Sequence, residues 1–194
     1  TKATTRQGKI DDGTTISDYD DEEHRRKISI YASVIPIEHR DHKINIIDAP
    51  GYTDFVGEMI SALSVADGAV LLVDAVAGIE VGTELAWRYA DEFNLPRFFV
   101  INKMDRDNAD FEKTYAAIHD FVHAHGKRAI KVHLPIGSKN DFKGVVDIIG
   151  MKSYLGDGKT TAEIPADSLE DAEKAYFATA EAAAEGEDAS TDNY

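Results

Sequence analysis

An α/β fold, with a mostly parallel sheet, helices on both faces and a partial α+β insertion, is predicted by three observations. Short apolar runs alternate with helical stripes between Lys43 and Ile136. Two of these runs, ending at Asp48 and Ile101, lead into polar turns, which is where such sheets bind their ligands. After Gly137 the alternation stops, and glycine-flanked pairs of branched residues suggest hairpins.

Residues 1–27 are polar, broken by Gly8 and Gly13, and carry an acidic run from Asp18 to Glu23. They are expected to be irregular. Ile28, Ile30, Ala32, Val34 and Pro36 alternate with their neighbours and predict a first strand. The polar turn Arg40-Asp41-His42 leads to a second strand over residues 43–48, antiparallel to the first because the link is short. Phe55, Met59 and Leu63 mark a helix stopped at Gly68. Residues 69–74 are nearly all apolar and predict a strand covered on both faces. Leu85, Tyr89 and Phe93 mark the next helix, and residues 98–101 the next buried strand. Phe111, Tyr115, Ile118 and Val122 give a third helix stripe ending at Gly126, and residues 130–136 a further strand. Hairpin material spans residues 142–154, with a turn at Gly156 to Gly158. A last helix is expected from near Ser168, where Ser168 and Asp171 approach capping-box spacing, to about Glu185, with residues 186–194 frayed.

The 194 residues suffice for one domain plus an appendage, and 43% are apolar, enough for a real core. No run is long and apolar enough to span a membrane, and no signal-peptide pattern opens the chain. Without cysteine there is no disulfide and no zinc-thiolate site. Twenty-one basic against 36 acidic residues give a net charge of -15. So acidic a surface repels a phosphate backbone, and direct sequence-specific nucleic-acid binding is not expected.

Two motifs carry chemistry. Asp48-Ala49-Pro50-Gly51 follows a strand. An aspartate at a strand's carboxyl end can hold magnesium, usually through water, and a glycine just beyond lets its N–H approach a phosphate. The plainer reading has Asp48 as a helix cap and Pro50-Gly51 as a turn. Asn102-Lys103-Met104-Asp105 follows another strand. Two carboxylate oxygens on Asp105 match the N1–H and exocyclic amino donors of guanine. Asn102 can brace the loop, and the Lys103 stem can lie over the purine. The plainer reading has Asp105 capping the next helix. His119 and His123, four apart on a helix, lack a third ligand and are expected to be a solvated face.

Together, in this order and with strand 69–74 between them, the motifs resemble the third and fourth motifs of the P-loop GTPase superfamily. Asp48-Ala49-Pro50-Gly51-Tyr52-Thr53-Asp54-Phe55 is similar to the Asp-Thr-Pro-Gly-His-Val-Asp-Phe of the elongation factor G family. Residues 135–147 resemble the segment opening that family's insertion into its G domain. Asp11-Asp12-Gly13-Thr14-Thr15 and Arg26-Lys27-Ile28-Ser29-Ile30 resemble its switch I. The resemblance implies a G domain over residues 1–136, with switch I in 1–29, and the start of the inserted subdomain over 137–194.

The resemblance further implies a GTP-hydrolysing translation factor acting on the ribosome in elongation or translocation. It would be cytoplasmic, bind GTP or GDP with Mg2+, and reach the ribosomal stalk protein through the insertion. Asp48, Ala49, Pro50, Gly51, Asn102, Lys103, Met104 and Asp105 would bind nucleotide, and Ser29 and Asp48 would hold magnesium. Ser29 replaces the family's threonine and keeps the hydroxyl. Tyr52 stands where the family has its catalytic histidine; a phenol is a poor general base at neutral pH, although positioning a water is most of this chemistry. A Gly-x-x-x-x-Gly-Lys-Ser/Thr loop is expected upstream of Thr1, in a longer protein, and this chain alone is expected to be inactive. Other readings are a nucleotide switch with weak hydrolysis, or a ribosomal protection protein or release factor three, against which the Phe142–Asp147 resemblance speaks.

Overall fold

The computed structural model describes Gly8 and residues 14–156 and 158–191. The switch I resemblance at Asp11, Asp12 and Gly13, and the expected fraying of residues 192–194, lie outside them. The chain divides into two units: Thr1–Leu72 with Glu80–Val100, and Val73–Ile79 with Ile101–Tyr194.

The first unit opens on helix α1 (Asp21–Arg26), inside the segment expected to be irregular. A capping box forms it: Asp20 accepts from the Glu22 N–H while Glu23 reaches back to the Asp20 N–H. Its first turn is acidic and its last turn basic, as the helix dipole favours. Strand β1 (Ser33–His39) pairs antiparallel with β2 (His42–Asp48), but it begins five residues later than the Ile28 start expected. The reason lies in the backbone. The N–H groups of Ile30 and Tyr31 donate to Glu23, and that of Ala32 to Glu58, so none is free for a ladder.

A 3-10 turn (Thr53–Phe55) leads into α2 (Val56–Leu63), which ends at Ser64, before Gly68. Helix α3 (Val81–Glu92) follows β3 (Ala69–Asp74) and precedes β4 (Arg97–Asn102). Strands β3 and β4 run parallel. The Ala69 N–H donates to Pro96 before the start of β4, and the Ala75 N–H donates to Asn102 at its end. Trp87 is the anchor of α3: it stacks on Phe99 at 5.8 Å and carries the Arg97 guanidinium 4.2 Å above its ring. The apolar run of β3 is not covered on both faces. Ala69, Leu71 and Val73 are buried, whereas Val70 and Leu72 are 61% and 63% exposed, and Phe98 and Val100 of β4 are exposed likewise.

In the second unit, α4 (Phe111–Ala124) is capped by Asp110 and stopped by Gly126 in the left-handed region. Strand β5 (His133–Ile136) was expected to extend the parallel sheet. It instead pairs antiparallel with β6 (Gly144–Asp147), which continues through β7 (Lys152–Leu155) to β8 (Thr160–Ala162). Strands β6 and β7 approach closely at Gly144, which has φ +154° and where a Cβ would lie 2.1 Å from the Tyr154 carbonyl oxygen. Helix α5 (Leu169–Thr191) continues past Gly186 and packs Ala172 against Leu134, Ile136, Val146 and Ile148. The Ser168 hydroxyl donates to Asp167.

Candidate functional site

Asp48 closes β2, half-buried and opposite Ser33 in the ladder, its carboxylate without a hydrogen-bond or ion-pair partner among the described residues. It does not cap a helix; the 3-10 turn after it starts from Tyr52, without any side-chain cap. Ala49 is half-buried and Pro50 buried, which seats the loop, while Gly51 is exposed with nothing within 4 Å of where its Cβ would stand. Gly82 at the start of α3 backs this loop, and a Cβ on it would meet the Gly51 carbonyl oxygen at 3.2 Å. Tyr52 is 58% exposed, its phenol unpartnered among the described residues.

Ser29 sits in the stretch between α1 and β1, and its hydroxyl donates to Asp18 at 2.8 Å. Thr15 donates to the other Asp18 oxygen. Glu23 organises the stretch. It is fully buried, and each oxygen accepts two backbone N–H groups: those of Tyr19 and Asp20 on one, of Ile30 and Tyr31 on the other. Burial pushes its carboxyl up, but the four N–H donors outweigh that and hold it below the ordinary carboxylate range. Ser29 is therefore bracketed by Asp18 on its side chain and by Glu23 through the next residue's backbone.

The four residues Asn102, Lys103, Met104 and Asp105 lie in the other unit, past β4. Asn102 accepts from the Ala75 N–H with its carbonyl and from the Lys103 N–H with its side chain, at 2.9 and 2.8 Å. Lys103 is left-handed, with φ 61°. Met104 is buried with Ala75 and Ala109, so its side chain anchors the loop, and its carbonyl accepts from the Lys139 N–H at 2.8 Å. That leaves Asp105 exposed, its carboxylate without a partner among the described residues. Asp105 does not cap the following helix; Asp110 does, accepting from the Lys113 N–H at 3.0 Å.

At the end of β3, Asp74 accepts from Lys103 Nζ at 2.9 Å and from Arg106 at 3.2 Å. The Lys103 ammonium first, and the Val76 N–H next, hold its carboxyl down at about 2. Asp74, Glu23, Glu58 and Gly82 were not singled out from sequence. Only Glu23 carried a local signal, the Asp20-x-x-Glu23 spacing; the others act across 26 residues or more.

Chemically, the first unit offers hard oxygen donors on Asp48 and Ser29 and an open backbone approach at Gly51, and the second unit, taken by itself, offers an unclaimed carboxylate on a braced loop. Those donors suit a hard cation, a phosphate and a base edge with two N–H groups, respectively.

Residues 1–181 match the Elongation factor Tu GTP binding domain family. The chain is 40% identical over 189 residues to Elongation factor G 2 of Streptomyces coelicolor, an alignment covering 95% of this chain and 27% of that protein. Its fold matches the crystal structure of ttk003000868 from Thermus thermophilus with a TM-score of 0.79 and 34% identity, over 90% of this chain and 26% of the other. The chain thus spans about a quarter of the length of these relatives.

Proposed function

The chain belongs to the elongation factor Tu GTP-binding domain family, and on that premise we propose that it is the guanine-reading and magnesium-holding part of a GTP-hydrolysing translation factor that works on the ribosome in elongation or translocation. The observation that carries this reading is Asp105. Its carboxylate is exposed and unclaimed, while Asn102, Met104 and Lys139 fix the loop around it. A loop so braced, with its one acidic side chain left free, is preorganised for a ligand rather than for the fold.

In this reading Asp105 accepts the two N–H groups of guanine, the Lys103 stem covers the purine face, and Asn102 and Met104 hold the loop. Gly51 presents its N–H to the terminal phosphate, seated by Ala49 and Pro50. Ser29 and Asp48 hold Mg2+, which when bound neutralises phosphate charge. The hydrogen bond from Ser29 to Asp18 is compatible with this, since a hydroxyl that donates its proton keeps its lone pairs for a cation. Residues 1–136 form the G domain and 137–194 open the insertion, with β5 lent to the insertion's sheet. The insertion meets the ribosomal stalk protein, and the work is cytoplasmic. Among the described residues no helix is long and apolar enough to cross a membrane.

Competition binding of GDP against ADP by the full-length protein tests this function. GDP is expected to win by orders of magnitude; equal affinity would reject it. Tyr52 favours a second reading on one point, a switch with slow hydrolysis, because its exposed phenol replaces a better base. Tyr52→His should then raise the ribosome-stimulated rate, and a fall in that rate would count against it.

A further inference from the structure

We propose that Asp74 is a positioning residue for nucleotide binding: it tethers the Lys103 ammonium and so fixes the lysine stem as a ledge for the purine face. This rests on reading residues 102–105 as the base site. Asp74 is the last residue of β3, with only 13% of its side chain exposed. Its Oδ1 accepts from the N–H groups of Val76 and Ala77 at 2.8 and 3.4 Å, which sets the plane of the carboxylate. The tight turn that presents those N–H groups closes with Gly78 at φ +73°, its N–H donating to the Asp74 carbonyl.

Its Oδ2 faces the loop. It accepts from Lys103 Nζ at 2.9 Å and from Arg106 at 3.2 Å, the two cations that flank Asp105 in sequence. A non-glycine residue such as Lys103 at φ 61° is in a sparsely populated conformation, which persists where the surroundings over-determine it. Here Asn102 fixes the Lys103 N–H and Asp74 fixes the other end of the side chain.

Magnitudes assign the tether to binding rather than to folding. Lys103 and Arg106 are 47% and 54% exposed, and ion pairs with such partners contribute little to stability. A lysine stem, however, is rich in rotamers and must be ordered when a flat base lies on it. Ordering it beforehand is worth about three- to tenfold in affinity, the range for one immobilised long side chain. The ledge does not distinguish one purine from another, so this factor applies to every purine nucleotide the site accepts.

The test measures GDP affinity of the full-length protein for wild type, Asp74→Asn, Lys103→Met and the double variant. Asp74→Asn keeps an oxygen for Val76 and Ala77 but weakens the tether; Lys103→Met keeps an apolar stem but removes the ammonium. Each single variant should bind GDP about three- to tenfold more weakly, and the double variant no more weakly than either. The melting temperature of the nucleotide-free protein should hardly move. Unchanged GDP affinity in Asp74→Asn, or multiplying losses in the double variant, overturns the proposal. Should Asp74→Asn melt early, Lys103→Met decides alone, and wild-type affinity there overturns it. Asp105→Asn in the same assay separates the two readings. If it moves preference from GDP to xanthosine diphosphate, a null result at Asp74 rejects only the tether; if it does not, the base reading itself fails.

Discussion

Glu23 shows how much one side chain decides. A buried carboxylate is costly unless its lone pairs are used, and here all four donors come from backbone that would otherwise be unsatisfied. Glutamine at this position would turn an NH2 group toward two N–H donors. Glu23→Gln should cost about 2–6 kcal/mol locally, at about 1–3 kcal/mol for each of the two orphaned donors. Loss of amide hydrogen-exchange protection at Tyr19, Asp20, Ile30 and Tyr31 would report it, and unchanged protection would refute it. The pH dependence has a definite sign. Because the folded-state carboxyl is lowered from 4.5, its contribution is complete above that pH and is lost as pH falls through the lowered value. The Ile30 and Tyr31 amide resonances should therefore stay fixed from pH 8 to 5 and move only in more acid solution; movement between pH 5 and 7 would contradict the assignment.

At the scale of elements, sequence periodicity located α2, α3, α4, β2 and β4 because their signals are local: an apolar stripe, a cap, a terminating glycine or turn. It misplaced the start of β1 because the competing acceptors, Glu23 and Glu58, arrive from α1 and α2. It misassigned the partner of β5 because antiparallel pairing with β6 depends on how tightly the Gly137 turn reverses the chain. Gly137 has φ +76°, and a Cβ there would stand 2.1 Å from the Asp141 carbonyl oxygen. This turn also carries Lys139, whose N–H holds Met104. Gly137→Ala is expected to destabilise the second unit by about 2 kcal/mol or more, from backbone strain alone. It should weaken GDP binding as well, because Met104 loses its brace. Thermal unfolding and GDP titration check both effects, and wild-type behaviour in both would show that the turn tolerates a side chain.

Over the whole molecule, charge and apolar surface pull in opposite directions. A net charge of -15 keeps copies apart, yet Val70, Leu72, Phe98 and Val100 present apolar side chains to solvent. This chain on its own should bind a hydrophobic dye, and Leu72→Lys should reduce the signal; an unchanged signal would place the dye elsewhere. Both candidate loops were legible in sequence, since an aspartate after a strand and a spaced Asn-Lys-x-Asp are short-range patterns. What holds those loops was not, since Asp74, Gly82 and Lys139 reach them from distant positions. The proposed function rests on Asp105 reading the base. It is tested most directly by measuring GDP and xanthosine diphosphate affinities for wild type and Asp105→Asn in the full-length protein. The wild type is expected to prefer GDP, and the variant, offering one donor and one acceptor in place of two acceptors, to prefer xanthosine diphosphate. An Asp105→Asn protein that still prefers GDP as strongly as the wild type would contradict it.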